Sequence, residues 1–179
     1  MSNMALNWHE DFIVHLASLV CPKVYVELGI YHCALFNRII PFAEQLIGVD
    51  ISAESGNYMQ QSSKTRFFKG TTHEFAKKVV VNPLQINMLF IDADHSKEAV
   101  LQDFKDFFPY VAPHGLILLH DTHPGNEQMM QPQWCGTAYL AVEEFLRETG
   151  SYELMTIPIS PGLTICRKRQ GQLSWQEKL

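Results

Sequence analysis

The sequence has no Cys-x-x-Cys pair, no apolar run approaching the length of a membrane span, and no dense basic stretch beyond Arg167-Lys168-Arg169. Its four cysteines, Cys21, Cys33, Cys135 and Cys166, lie too far apart for a metal knuckle or a redox pair, so a reducing, cytoplasmic setting is expected. Runs such as Ile86 to Ile91 and Leu116 to Leu119 fall far short of the roughly 20 apolar residues that cross a bilayer. The N-terminus lacks a basic segment followed by an apolar one, so no secretory leader is expected. Fourteen Lys and Arg stand against nineteen Asp and Glu, a formal net charge of -5, which disfavours nucleic acid or an anionic membrane surface as partner. Repeats, low-complexity stretches and linkers are also missing. With 179 residues the expectation is one domain over 1–169, with an N-terminal helix within 1–22 and a flexible tail at 170–179.

What the sequence does have is alternation. Phe12, Ile13, Leu16, Leu19 and Val20 are spaced as one apolar helical stripe within 5–20, ended by Pro22. Val24 to Leu28 is a short apolar run closed by Gly29, and Leu35, Phe36, Ile39 and Ile40 return to helical spacing before Pro41. Leu46 to Asp50 and Thr65 to Lys69 read as two more strands. Thr71 to Val80 reads as a helix opened by the capping-box pair Thr71 and Glu74. Ile86 to Asp92 is apolar at nearly every position, as a strand covered on both faces would be. Ser96 then caps a helix carrying Val100, Leu101, Phe104, Phe107 and Phe108, stopped by Pro109. Pro113-His114-Gly115 turns into a fifth strand, Leu116 to His120. A polar connection from Thr122 to Gly136 leads to a helix bearing Leu140, Val142, Phe145 and Leu146, with Gly150 at its end. Tyr152 to Ile157 and Gly162 to Arg167 are too close in sequence for a crossover and must form an antiparallel hairpin. The order implies an α/β fold: a Rossmann-like, open, mostly parallel seven-stranded sheet with helices on both faces and a C-terminal antiparallel hairpin.

In such sheets ligands collect at the carboxyl ends of the strands. The first strand ends in Glu27-Leu28-Gly29, where glycine permits a close turn and the next helix points its amides outward. The second ends in Asp50, 21 residues beyond Gly29, a distance that suits an acid accepting hydrogen bonds from ribose hydroxyls. The fourth ends in Asp92-Ala93-Asp94-His95 and the fifth in His120-Asp121-Thr122-His123, so carboxylates and imidazoles meet at two neighbouring strand ends. Crowded carboxylates raise one another's pKa unless a cation neutralises them, the mark of a divalent metal, an acid/base pair or both. The connection from Thr122 to Gly136, with Met129, Met130 and Trp134, leaves the same edge and has the length of a lid.

These residues resemble the class I S-adenosylmethionine-dependent methyltransferases, in particular the small O-methyltransferase-like group that includes macrocin-type and cephalosporin-hydroxylase-like proteins. Val26-Glu27-Leu28-Gly29-Ile30-Tyr31 looks like the cofactor loop of that family and Ile47-Gly48-Val49-Asp50-Ile51 like its ribose-binding strand. Phe90-Ile91-Asp92-Ala93-Asp94-His95-Ser96, then Asp103, then Gly115 to Asp121, looks like its most distinctive stretch. The resemblance implies that Glu27, Gly29, Asp50 and Ile51 contact S-adenosylmethionine, with Gly70 and Thr71 near the adenine edge and Asp92 beside the cofactor. It also implies that Asp92, His120 and Asp121 occupy the positions at which metal-dependent relatives such as catechol O-methyltransferase hold Mg²⁺. Two positions depart from the pattern: His32 stands where many relatives have a second glycine, and His120 where a metal-dependent relative carries a carboxylate.

The expected activity is methyl transfer from S-adenosylmethionine to a hydroxyl of a small-molecule acceptor, assisted by Mg²⁺ or another divalent ion, with His95 or His123 taking the proton and Asp92 central to catalysis. Only some 20 residues precede the first strand, so a small acceptor or a shared homo-oligomer interface is favoured over a separate substrate domain. Three alternatives remain open from the sequence: an Fe or Zn oxidase or hydrolase using the histidines, a non-catalytic S-adenosylmethionine-binding module, and a nicotinamide dehydrogenase, for which a single glycine leaves little to cradle a pyrophosphate.

Overall fold

The expected alternation takes the following form in a computed structural model that describes residues 7–148 and 151–169. The elements run α1 (Trp8–Val20), β1 (Val24–Leu28), α2 (Ala34–Ile39), β2 (Gln45–Asp50), α3 (Ser55–Tyr58), β3 (Thr65–Lys69), α4 (Thr72–Val81), β4 (Ile86–Ile91), α5 (Lys97–Phe107), β5 (Val111–His120), α6 (Ala138–Phe145), β6 (Tyr152–Ile157) and β7 (Leu163–Lys168). The strands form a single seven-stranded sheet in the order β3-β2-β1-β4-β5-β7-β6. Pairings among β1 to β5 are parallel, while β7 lies antiparallel between β5 and β6. The Rossmann-like architecture read from the sequence is therefore observed, with the terminal hairpin docked through its second strand. Strand order reverses between β1 and β4, and the crevice at their carboxyl ends is where an open α/β sheet receives a ligand.

Alternate residues of each strand feed two cores. On one face Val26, Leu28, Leu89 and Leu119 pack against Phe75 and Val79 of α4, Phe104 and Phe107 of α5, and Phe145 of α6. On the other, Tyr25, Met88 and Leu118 meet Ile13 and Ala17 of α1 and Phe36 and Ile39 of α2. The caps behave as the sequence predicts. Thr71 accepts from the Glu74 amide while Glu74 accepts from the Thr71 amide, and Ser96 accepts from the Ala99 amide to open α5. Among the described residues no helix is long and apolar enough to cross a membrane.

Three local expectations give way. The stripe on α1 is turned: His9, Ile13 and Ala17 are buried, while Leu19 is 70% exposed, because the sheet supports only that line of the helix and Cys21 ends it in a left-handed conformation at φ 47. The Pro113-His114-Gly115 segment is not a turn before β5 but an excursion within it. Ile86 pairs with Val111 and Met88 already with Leu116, and His114 takes φ 66. The short helix α3 between β2 and β3 had no periodic signal in the sequence. The start of the N-terminal helix before residue 7, Gly150 and the tail at 170–179 lie outside the described residues.

Candidate active site

The turn after β1 is shaped by close backbone approach. Gly29 has φ 86, and a Cβ there would sit 2.2 Å from the Asp92 carbonyl oxygen, so glycine is required where the ends of β1 and β4 converge. The Asp92 amide completes that junction by donating to the Leu28 carbonyl at 2.9 Å. Two further residues of the loop are left-handed without being glycine, Tyr31 at φ 41 and Cys33 at φ 56. The departure at His32 is thus not where the backbone is demanding. The left-handed positions are 29, 31 and 33, and the chain adopts the last two with side chains that cost about 1–2 kcal/mol each. The loop holds because Asp50 and the core support it: Asp50 Oδ2 accepts from the Tyr31 amide at 2.9 Å, and the Cys33 side chain is buried.

Two adjoining cavities of about 600 Å³ and about 410 Å³ open at this point, and Gly29, Asp50 and Ala93 contribute to the walls of both. Ile51, Gly70, Thr71 and Asp94 line the smaller one. Each Asp50 oxygen accepts one backbone amide, from Tyr31 at 2.9 Å and Ser52 at 2.8 Å. A lone pair on each remains for a diol. Glu27 is placed differently from the other expected cofactor residues. It is 3% exposed, lines neither cavity and accepts from the Tyr25 hydroxyl at 2.6 Å. Burial pushes its carboxyl well above the usual range despite that bond, and the Asp92 charge adds to the rise.

The larger cavity contains the charged cluster. Asp92 follows β4, His95 precedes α5, and His120 and Asp121 end β5, with Asp121 at φ 59. His120 Nδ1 lies 2.9 Å from Asp92 Oδ1 and 3.4 Å from Asp121 Oδ1. His95 Nδ1 lies 3.2 Å from Asp121 Oδ2, and its Nε2 3.6 Å from Asp92 Oδ1. Ligand atoms of Asp92, His95 and Asp121 all fall within 4.8 Å of one another. Burial works against a charge on Asp92, but His120 and His95 overcome it and hold the carboxyl well below the usual carboxylate range. His95 is raised to about 9 chiefly by its interaction with Asp92, with burial opposing. His120, which burial alone would lower, is lifted to about 10 by Asp92 and Asp121.

The connection after β5 closes over this cluster. It contains a short 3-10 helix, Glu127–Met130, and contributes Met129, Gln133, Trp134 and Cys135 to the larger cavity. His95 Nδ1 donates to the Trp134 carbonyl, and the His95 carbonyl accepts from the Thr137 amide at 2.9 Å, so the lid is fastened to the residue it covers. His123 is set apart from the other expected residues. It is exposed, lines neither cavity and packs its backbone against Gly162. Sequence reasoning missed His9, whose ring lies tilted against that of His120 with centroids 4.0 Å apart, on a helix that the Trp8 indole anchors by donating to the Ser160 carbonyl at 3.0 Å. It also missed Cys135, whose thiol is raised to about 12 by burial and the neighbouring Asp121. Nothing in the local pattern of either residue marks it, since each arrives from a distant element.

A family profile described as a methyltransferase domain matches residues 26–122. No curated protein matches the sequence. Among solved structures the chain is similar to an O-methyltransferase from Bacillus cereus in complex with SAH, at TM-score 0.73 and 12% identity over 94% of this chain and 82% of that one. It is similar to the SAH-bound methyltransferase PaMTH1 of Podospora anserina, at TM-score 0.72 and 15% identity over 94% and 80% of the two chains. It is also similar to the SAM-bound O-methyltransferase TomG of Streptomyces achromogenes, involved in tomaymycin synthesis, at TM-score 0.70 and 14% identity over 89% and 79%.

Proposed function

The chain belongs to the methyltransferase-domain family, and on that premise we propose that it transfers the methyl group of S-adenosylmethionine to a hydroxyl oxygen of a small molecule. The observation that carries this reading is the convergence of Gly29 and Asp50 with Asp92, His95 and Asp121 around one cavity. Structural neighbours that hold S-adenosylmethionine or S-adenosylhomocysteine support the choice of cofactor. So does Asp50, whose oxygens are oriented by two amides and keep lone pairs for a ribose.

When bound, S-adenosylmethionine supplies an electrophilic methyl and a divalent ion at the cluster a Lewis acid that acidifies a hydroxyl. Methyl transfer asks little covalent help of a protein, so the work of these residues is placement. Ile51, Gly70 and Thr71 wall the smaller cavity, which would take the adenine, and Asp50, between the two cavities, would hold the ribose. Asp92 and Asp121 are the carboxylates that would hold the ion. Paired oxygen donors within reach of an imidazole fit a divalent cation by their chemistry. His120 donates to Asp92 at 2.9 Å and keeps that carboxylate turned toward the cavity. Met129 and Trp134 of the lid line the cavity over the cluster and limit water there. His123 has no part in this scheme.

Calorimetric titration of S-adenosylmethionine and S-adenosylhomocysteine, with Asp50→Ala as control, followed by methyl transfer to a panel of hydroxylated acceptors, tests the proposal. Saturable binding weakened at least about tenfold by Asp50→Ala is expected. Asp92→Ala and Asp121→Ala should abolish turnover while leaving cofactor affinity within a few-fold. Full activity in both carboxylate variants would overturn the mechanism, and absence of binding by either nucleoside would overturn the function.

A further inference from the structure

The two imidazoles of the cluster are not equivalent. His120 Nδ1 faces two carboxylates, at 2.9 Å and 3.4 Å, and must carry the hydrogen it donates to them. Its Nε2 is buried and has no hydrogen-bond partner among the described residues, and its ring lies tilted at 42° against that of His9. His120 therefore supports the carboxylates from behind. His95 is arranged the other way round. Its Nδ1 is met by acceptors only, the Trp134 carbonyl and Asp121 Oδ2, so Nδ1 bears a hydrogen in either protonation state and Nε2 is the nitrogen that would give up its proton to an ion. A metal-binding histidine is commonly fixed in this manner, one ring nitrogen donating to a carbonyl or carboxylate while the other faces the ion.

Nε2 stands 3.6 Å from Asp92 Oδ1, long for a hydrogen bond. It is close to the separation of two ligands of one ion, since bonds of about 2.0–2.2 Å at ordinary coordination angles set neighbouring ligand atoms roughly 3–3.6 Å apart. The resulting donor set is two carboxylates and an imidazole. Mg²⁺ takes oxygen in near-ideal octahedral geometry and keeps several waters, whereas imidazole suits the borderline ions from Mn²⁺ to Zn²⁺.

We propose that Asp92, His95 and Asp121 bind a borderline divalent transition ion in preference to Mg²⁺, with His95 as a nitrogen ligand and His120 as the residue that positions the carboxylates. The inference deepens the methyltransferase reading and rests on it for the ion's catalytic use, but not for its binding. His95 would then serve the reaction through the ion and not as the free proton acceptor its place in the sequence suggests.

The test uses the full chain freed of metal by chelation and titrated separately with Co²⁺, Mn²⁺, Zn²⁺ and Mg²⁺. Binding is read by calorimetry, and coordination by the visible absorption of the Co²⁺ form, whose bands report nitrogen ligation without any turnover. One equivalent of Co²⁺ is expected to bind, with spectral change, and to be lost in Asp92→Ala. His95→Ala should weaken Co²⁺ by about tenfold or more while leaving Mg²⁺ nearly unchanged, and His95→Asp should move the preference toward Mg²⁺. An unaltered Co²⁺ spectrum and an unaltered Co²⁺ to Mg²⁺ ratio in both His95 variants would overturn the proposal. So would binding that survives Asp92→Ala, which marks surface thiols or histidines. Cofactor titrations on the same samples separate the two readings. S-adenosylmethionine binding by protein that takes up none of the four ions refutes this site and spares the methyltransferase, while Co²⁺ binding without cofactor binding does the reverse.

Discussion

Asp103, the aspartate that follows Asp92-Ala-Asp-His in the distinctive stretch of the sequence, makes a quantitative test of what that stretch is for. It sits on α5, is 4% exposed and faces the start of α4. Burial raises its pKa from 3.8 to about 6, helped by the charges of Asp106 and Asp94 and opposed by a hydrogen bond from Thr72 and by His73. The folded state thus holds the proton more tightly than the unfolded chain. The contribution to stability is full below pH 3.8 and is lost as pH rises through about 6. At about 1.36 kcal/mol for each pH unit between the two values, the ionised carboxylate costs the fold about 3 kcal/mol at pH 7 to 8. Asp103→Asn keeps an oxygen for the Thr72 hydroxyl and removes the charge. The variant should therefore be more stable than the natural chain by about 2–3 kcal/mol at pH 7.5, with Tm higher by roughly 4–12 °C, and near parity at pH 4. Urea unfolding of both proteins at half-unit steps from pH 4 to 8 measures the difference directly. A difference that does not change with pH, or a less stable variant at pH 7.5, would refute the argument from burial and point to an ionised Asp103 with a partner of its own.

Further outcomes follow from the same geometry. Gly29→Ala forces a Cβ to within 2.2 Å of the Asp92 carbonyl at φ 86 and should cost about 2–4 kcal/mol while weakening cofactor binding; Gly48→Ala, which meets side-chain methyls of Ile30 and Met59 in place of backbone and has no positive φ, should cost less in the same melts. Lys168→Met removes the ammonium that donates to the carbonyls of Phe108, Pro109 and Val111 beyond α5, and should lower stability by about 2–3 kcal/mol in urea without changing cofactor affinity. Thr71→Ala should cost about 1 kcal/mol through loss of the α4 cap, measurable as a shift in the denaturation midpoint.

The legible part of the site was the part carried by strand ends. Asp92 and His95, and His120 and Asp121, come as contiguous runs after two apolar stretches, and a parallel sheet that sets β4 beside β5 brings them together whatever the details. Asp50 was legible for the same reason. The resemblance assigns Glu27 to the cofactor, yet strand alternation turns its side chain inward to Tyr25, since residues 25 and 27 share a face of the sheet. His123 was grouped with its neighbours in sequence, but the chain leaves β5 through Asp121 in a left-handed conformation and carries His123 outward against Gly162.

The sequence by itself determined the alternating order of elements, the antiparallel closure, the caps on α4 and α5 and the acids at the strand ends, because each is written in local spacing and turn chemistry that a few residues settle among themselves. Only the tertiary structure decided that β7 lies inside β6, that the left-handed non-glycine positions of the turn after β1 are Tyr31 and Cys33 and not His32, and that His9 and Cys135 join the cluster. It alone also decided that His95 presents Nε2 to Asp92 while His120 presents Nδ1. These outcomes depend on contacts between segments far apart in the chain, where packing against a shared sheet, and not the preference of any one residue, selects the conformation.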